Sequence, residues 1–98
     1  MTNSIIDQIL KLFDVKLLVK FGDRKELSSD IDILIISNDF DGISNLKRNE
    51  FIKRIDKSLD PLCLTTEQFA RLKESNSSLY ICIKKTLILL YGNKTAFF

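Results

Sequence analysis

The run Asp30-Ile31-Asp32-Ile33-Leu34-Ile35-Ile36-Ser37 constrains this chain more than any other stretch. Side chains alternate across a β-strand, so Asp30 and Asp32 share one face, while Ile31, Ile33 and Ile35 take the other. Leu34 and Ile36 continue the acidic face as apolar surface. A strand apolar on both faces belongs in the middle of a sheet covered on both sides. Two carboxylates at its mouth are costly to bury without partners. A divalent cation is one common partner for them. The competing reading is a solvated strand end, since an Asp-x-Asp pair decides nothing by itself. The context favours the first reading: a strand-like run, Val15–Phe21, leads into Gly22, a polar turn follows, and then comes the acidic strand.

The rest of the composition narrows the chemistry. Ninety-eight residues, 45% of them hydrophobic, suit one domain over residues 1–98 with a single modest core. The charge balance of 15 basic and 13 acidic residues gives a net charge of +2. No global field therefore calls for nucleic acid, which is disfavoured as a partner without being excluded. The amino terminus is polar and then amphipathic, unlike a signal peptide, and no run approaches the ~20 apolar residues of a membrane span. A cytoplasmic protein is the expectation. Cys63 and Cys82 are too few and too far apart for a disulfide framework or zinc site, and both are expected to pack as small core residues. Histidine is absent, which removes histidine-dependent catalysis and disfavours zinc. Hard cations with oxygen ligands remain.

Periodicity gives the elements. Asn3 or Ser4 caps a first helix whose Ile5, Ile6, Ile9, Leu10 and Phe13 form one apolar face. In the strand Val15–Phe21, Leu17, Val19 and Phe21 face one way and Lys16, Leu18 and Lys20 the other. Gly22–Ser29 is a turn, with room for one helical turn at Arg24–Leu27, and Asn38–Asn45 is a loop. A helix over Leu46–Ser58 buries Leu46, Phe51, Ile52 and Ile55. Its Lys47, Arg48, Lys53, Arg54 and Lys57 read first as a solvated face and second as a means of steering a polyanion. Asp60–Leu64 is a short strand, and Thr65 with Gln68 forms a capping box for the helix that follows. Ser77–Tyr91 is apolar nearly throughout, so periodicity does not separate helix from strand there. Local propensity splits it into a helix, Ser78–Lys85, and a strand, Leu87–Tyr91. Thr95–Phe98 reads as a frayed end whose Phe97 and Phe98 could seek a partner surface. Together with the apolar Leu87–Tyr91, they motivate an expected homodimer or heteromeric complex.

Three segments in this order resemble the minimal nucleotidyltransferases (MNT) of the DNA polymerase beta superfamily. Ser29-Asp30-Ile31-Asp32-Ile33-Leu34 resembles their Asp-x-Asp strand. Ser37-Asn38-Asp39-Phe40-Asp41-Gly42 resembles the segment after it. Leu59–Phe69 resembles the third acidic strand and its helix. The resemblance spans nearly the whole chain and implies an α/β (α+β) fold, a small mixed β-sheet flanked by helices. It implies transfer of a nucleoside monophosphate from a nucleoside triphosphate, ATP among the candidates, to a hydroxyl acceptor. Asp30, Asp32 and Asp60 are the implied catalytic and metal-binding residues, holding two Mg2+ ions, with Mn2+ as a substitute. Gly22, Asp23, Arg24 and Ser29 are the implied nucleotide-binding positions, Gly22 by letting the backbone approach the phosphates. Small relatives of this kind often pair with a helical HEPN-family partner in toxin–antitoxin modules.

The chain departs from the family pattern in three places. Its Gly-Ser is Gly22-Asp23 here, which sets a carboxylate where a hydroxyl met phosphate. The segment from Gly22 to Asp30 is shorter than in most relatives. Pro61 follows Asp60 and removes a ladder donor, so that strand is an edge or irregular. Two functions therefore stand side by side: a magnesium-dependent nucleotidyltransferase, and a catalytically degenerate member of the fold acting as a binding or antitoxin module. A nucleic-acid adaptor using the Lys47–Lys57 face is a weaker third, given the nearly neutral charge.

Overall fold

The computed structural model describes residues 2–22 and 31–98. Helix α1 (Asn3–Leu12) starts at Thr2, whose hydroxyl accepts from the Ile5 amide; Thr2, not Asn3 or Ser4, is the cap. Strand β1 (Leu17–Phe21) and strand β2 (Ile31–Ile36) pair antiparallel. A short 3-10 turn (Asn38–Phe40) and helix α2 (Asn45–Ile55) lead to strand β3 (Leu59–Leu64). Helices α3 (Thr66–Ser75) and α4 (Ser78–Thr86) follow, then strand β4 (Ile88–Gly92) and a last 3-10 turn (Lys94–Ala96). The sheet order is β3-β2-β1-β4, with β2 and β3 parallel and the other neighbours antiparallel. This is the small mixed sheet flanked by helices expected from the sequence. β2–α2–β3 is a crossover unit, which is what joins two parallel neighbours through a helix.

The acidic strand sits inside the sheet because both of its faces are covered. Ile33 and Ile35 pack with Ile9, Leu18, Ile52, Leu59 and Cys63 under α1 and α2. Leu34 and Ile36 pack with Leu17, Val19, Phe21, Phe69, Tyr80 and Ile83 under α3 and α4. All four aliphatic residues from Ile33 to Ile36 are fully buried. β3 lies at one edge, where Pro61 can lack an amide at little cost. The Thr65 capping box forms as expected, Thr65 Oγ1 accepting from the Gln68 amide and Gln68 Oε1 from the Thr65 amide. The apolar run Ser77–Tyr91 does split into helix and strand, at Leu87.

Several expectations are corrected. Arg48 is not part of a solvated face: it is 4% exposed. Its guanidinium donates to the carbonyls of Ile43, Phe40 and Cys63 and to Gln68 Oε1, at 2.8–3.0 Å. It also lies over the Phe40 ring, 5.6 Å from the centroid. Leu46, expected in the apolar face of α2, is exposed. Cys63 is buried but Cys82 is exposed, because the buried face of α4 is carried by Tyr80 and Ile83. Phe97 and Phe98 are not frayed; they pack on Phe69, and Phe98 stacks on Tyr80. Ile88, Leu89 and Tyr91 of β4 do remain exposed. Among the described residues no helix is long and apolar enough to cross a membrane.

Candidate active site

The register of the two parallel strands builds the site. Asp32 of β2 stands opposite Asp60 of β3. Facing residues of adjacent strands point to the same side of a sheet. Here it is the α3/α4 side, shared with Leu34, Ile36, Leu62 and Leu64. Both carboxylates therefore reach the same surface. Asp32 is half-buried and Asp60 exposed. They line a cleft of about 380 Å³ together with Phe21, Pro61, Leu62, Leu79 and Cys82. A larger hollow of about 540 Å³ lies between α1 and α2. Its lining, Gln8, Lys11, Leu12, Phe51, Arg54 and Ile55, carries no carboxylate, so chemistry selects the smaller cleft.

Gly22 follows β1, next to Phe21 of the cleft lining. Phe21, the residue before it, is the register partner of Asp32 on the other side of β2. Gly22 has φ +94°, and a Cβ added there would lie 2.9 Å from Asp32 Oδ2. Glycine is required twice over, for its backbone angle and for the room it leaves the carboxylate. Its amide donates to Thr86 Oγ1 at 2.8 Å. This amide therefore already has an acceptor within the chain. Asp23, Arg24, Ser29 and Asp30 lie outside the described residues.

Two solved structures superpose on the chain. One is a candidate nucleotidyltransferase from Sulfolobus solfataricus, with a TM-score of 0.59 and 18% identity over 97% of this chain and 80% of that one. The other is the complex of a tri-AMPylated HEPN toxin with an MNT antitoxin from Shewanella oneidensis, with a TM-score of 0.54 and 19% identity over 98% of this chain and 76% of that one. The chain has the nucleotidyltransferase fold. No family model matches the sequence, and comparison with curated proteins finds no match.

Within this nucleotidyltransferase fold the donor set suits a hard divalent cation. Asp32 and Asp60 offer carboxylate oxygens, the ligands magnesium and manganese favour. Among the described residues no group of three metal-ligating side chains forms, and the expected third carboxylate, Asp30, lies outside them. The Asp60 carboxylate forms no hydrogen bond or ion pair with another described residue and lines the cleft. The sequence reading missed three contributors. Cys82 and Leu79 line the cleft from α4, and Thr86 reaches Gly22 from the end of that helix. Nothing in sequence spacing signals a contact across 64 positions.

Proposed function

We propose that this chain is a magnesium-dependent nucleotidyltransferase that moves a nucleoside monophosphate from a nucleoside triphosphate to a hydroxyl acceptor. The observation that carries the reading is the facing of Asp32 and Asp60 at one cleft of a nucleotidyltransferase fold. In this reaction the acceptor oxygen bonds to the α-phosphorus, the bond to the β-phosphate oxygen breaks, pyrophosphate leaves, and the acceptor proton passes to a base. Magnesium, when bound, offsets the negative charge that gathers on the phosphate oxygens. Asp30 and Asp32 would hold the ion on the triphosphate, and Asp60 would complete the site of a second ion. Asp60, exposed at the edge strand, or the ion it helps to hold would activate the acceptor hydroxyl. Phe21, Leu62 and Leu79 form an apolar wall beside the acids. The proposed acceptor is a hydroxyl on a HEPN-type partner, by analogy with the toxin–antitoxin complex that shares the fold.

A second reading is a degenerate fold member that neutralises its partner by binding. The engagement of the Gly22 amide by Thr86 favours it, since one backbone donor is withdrawn from phosphate. The replacement of the family's serine by Asp23 points the same way. The experiment that separates the two incubates the protein with Mg2+, labelled ATP and a purified HEPN-family protein, and measures the partner's intact mass. Nucleotide addition that Asp32→Asn and Asp60→Asn abolish supports the enzyme. Stable complex formation without addition, under a panel of nucleoside triphosphates, supports the binding module. Asp23→Ser adds a comparison: tighter triphosphate binding than wild type assigns the weakness to that carboxylate.

A further inference from the structure

We infer that Thr86, at the carboxy-terminal end of α4, is a positioning residue for Asp32. Its hydroxyl makes two contacts at once. It donates to the Cys82 carbonyl one turn back, at 2.7 Å, and accepts from the Gly22 amide at 2.8 Å. The first is the back-bond a helical threonine commonly makes. It fixes the direction of the hydroxyl hydrogen and so presents a lone pair outward. The second contact uses that lone pair to hold the Gly22 turn. The Gly22 turn in its place sits beside Asp32, whose Oδ2 lies 2.9 Å from the ideal Cβ position on Gly22. Hydrogen bonds thus join the Cys82 carbonyl, the Thr86 hydroxyl and the Gly22 amide, and the Asp32 carboxylate lies beside the Gly22 turn. α4 thereby holds the residue after β1 beside the acid that β2 carries. Asp60, on the far side of β2, takes no part in this chain of contacts.

The inference concerns the cleft of the proposed function and rests on that reading only for its metal readout. The test compares Thr86→Val, which keeps the shape and removes both hydrogen bonds, with Thr86→Ser, which keeps the hydroxyl. In metal-free protein, 13C-labelled at Asp, Thr86→Val is expected to move the Gly22 amide and the Asp32 carboxyl resonances and leave the Asp60 carboxyl in place. Mn2+ affinity, read by electron paramagnetic resonance, is expected to fall about fivefold, the worth of one net hydrogen bond. Thr86→Ser is expected to match wild type in both. If Thr86→Val moves the Gly22 amide while the Asp32 carboxyl stays put, the inference is overturned; equal Mn2+ affinity of Thr86→Val and wild type overturns it too. If wild type binds no Mn2+, the metal reading fails by itself, and the Asp32 resonance alone decides the role of Thr86. Thr86→Ala serves the same comparison should the valine variant not fold.

Discussion

The Asp32 carboxylate occupies the space a side chain at position 22 would need, its Oδ2 2.9 Å from the ideal Cβ on Gly22. Gly22→Ala therefore meets a φ of +94° that L-residues rarely adopt, and it makes the Asp32 carboxylate turn aside. Each strained position costs about 1–3 kcal/mol. Chemical denaturation is expected to show a loss in that range. Unchanged stability means that the turn relaxes freely.

Arg48 gives a second expectation. Its guanidinium satisfies carbonyls of the turn before α2 and of β3, and shares Gln68 with the Thr65 cap. Arg48→Met leaves those buried oxygens without donors, at a cost of about 3 kcal/mol. Arg48→Lys recovers only part of this, because an ammonium cannot reproduce the planar fork. A melting temperature unchanged in the methionine variant contradicts the assignment.

The two cysteines are expected to separate by reactivity. Burial pushes the Cys63 thiol up to about 12, against a smaller lowering by Arg48, whereas Cys82 is exposed at the cleft. A thiol reagent at pH 8 should modify Cys82 alone in the native protein and both after denaturation. Because the folded pKa of Cys63 is raised above that of an ordinary thiol, its contribution to stability is complete below the ordinary thiol pKa and is lost as pH rises toward about 12. Cys63→Ala should flatten that alkaline decline. Rapid native labelling of Cys63 excludes this picture.

Self-association rests on β4 alone. Phe97 and Phe98 cover Phe69 and Tyr80 within the chain, but Ile88 is 56% exposed and Leu89 and Tyr91 are exposed beside it. β4 is also an edge strand with no charged residue or proline to guard it. Light scattering is expected to show a dimer that Leu89→Lys dissociates. A monomer at every concentration removes the homodimer.

The acidic strand was legible because alternation has a period of two and Asp32 interrupts an otherwise apolar run. The same rule placed Leu17, Val19 and Phe21 together on one face. Asp60 was legible from its motif, and Pro61 announced an edge. Arg48 was not legible, because along α2 it looks like its neighbours Lys47, Lys53 and Arg54. What buries it is the arrival of carbonyls from Phe40 and Cys63, which no local pattern records. Cys82 was misjudged because α4 is apolar on more of its circumference than it buries, so Leu79 and Ile81 are exposed as well. Thr86 was missed for a related reason: its partner is distant in sequence.

Shared binding of a divalent cation by Asp32 and Asp60 is the centre of the account. Titration of Mn2+ into the purified protein with ATP present, followed by electron paramagnetic resonance, tests it most directly. Wild type is expected to bind, and Asp32→Asn and Asp60→Asn are each expected to lose affinity by at least about tenfold, the effect of removing roughly 1.4 kcal/mol of binding free energy. Bound Mn2+ should also raise the melting temperature of wild type, because a ligand that binds only the folded state stabilises it. Absence of binding in wild type, or equal binding in all three proteins, contradicts the account.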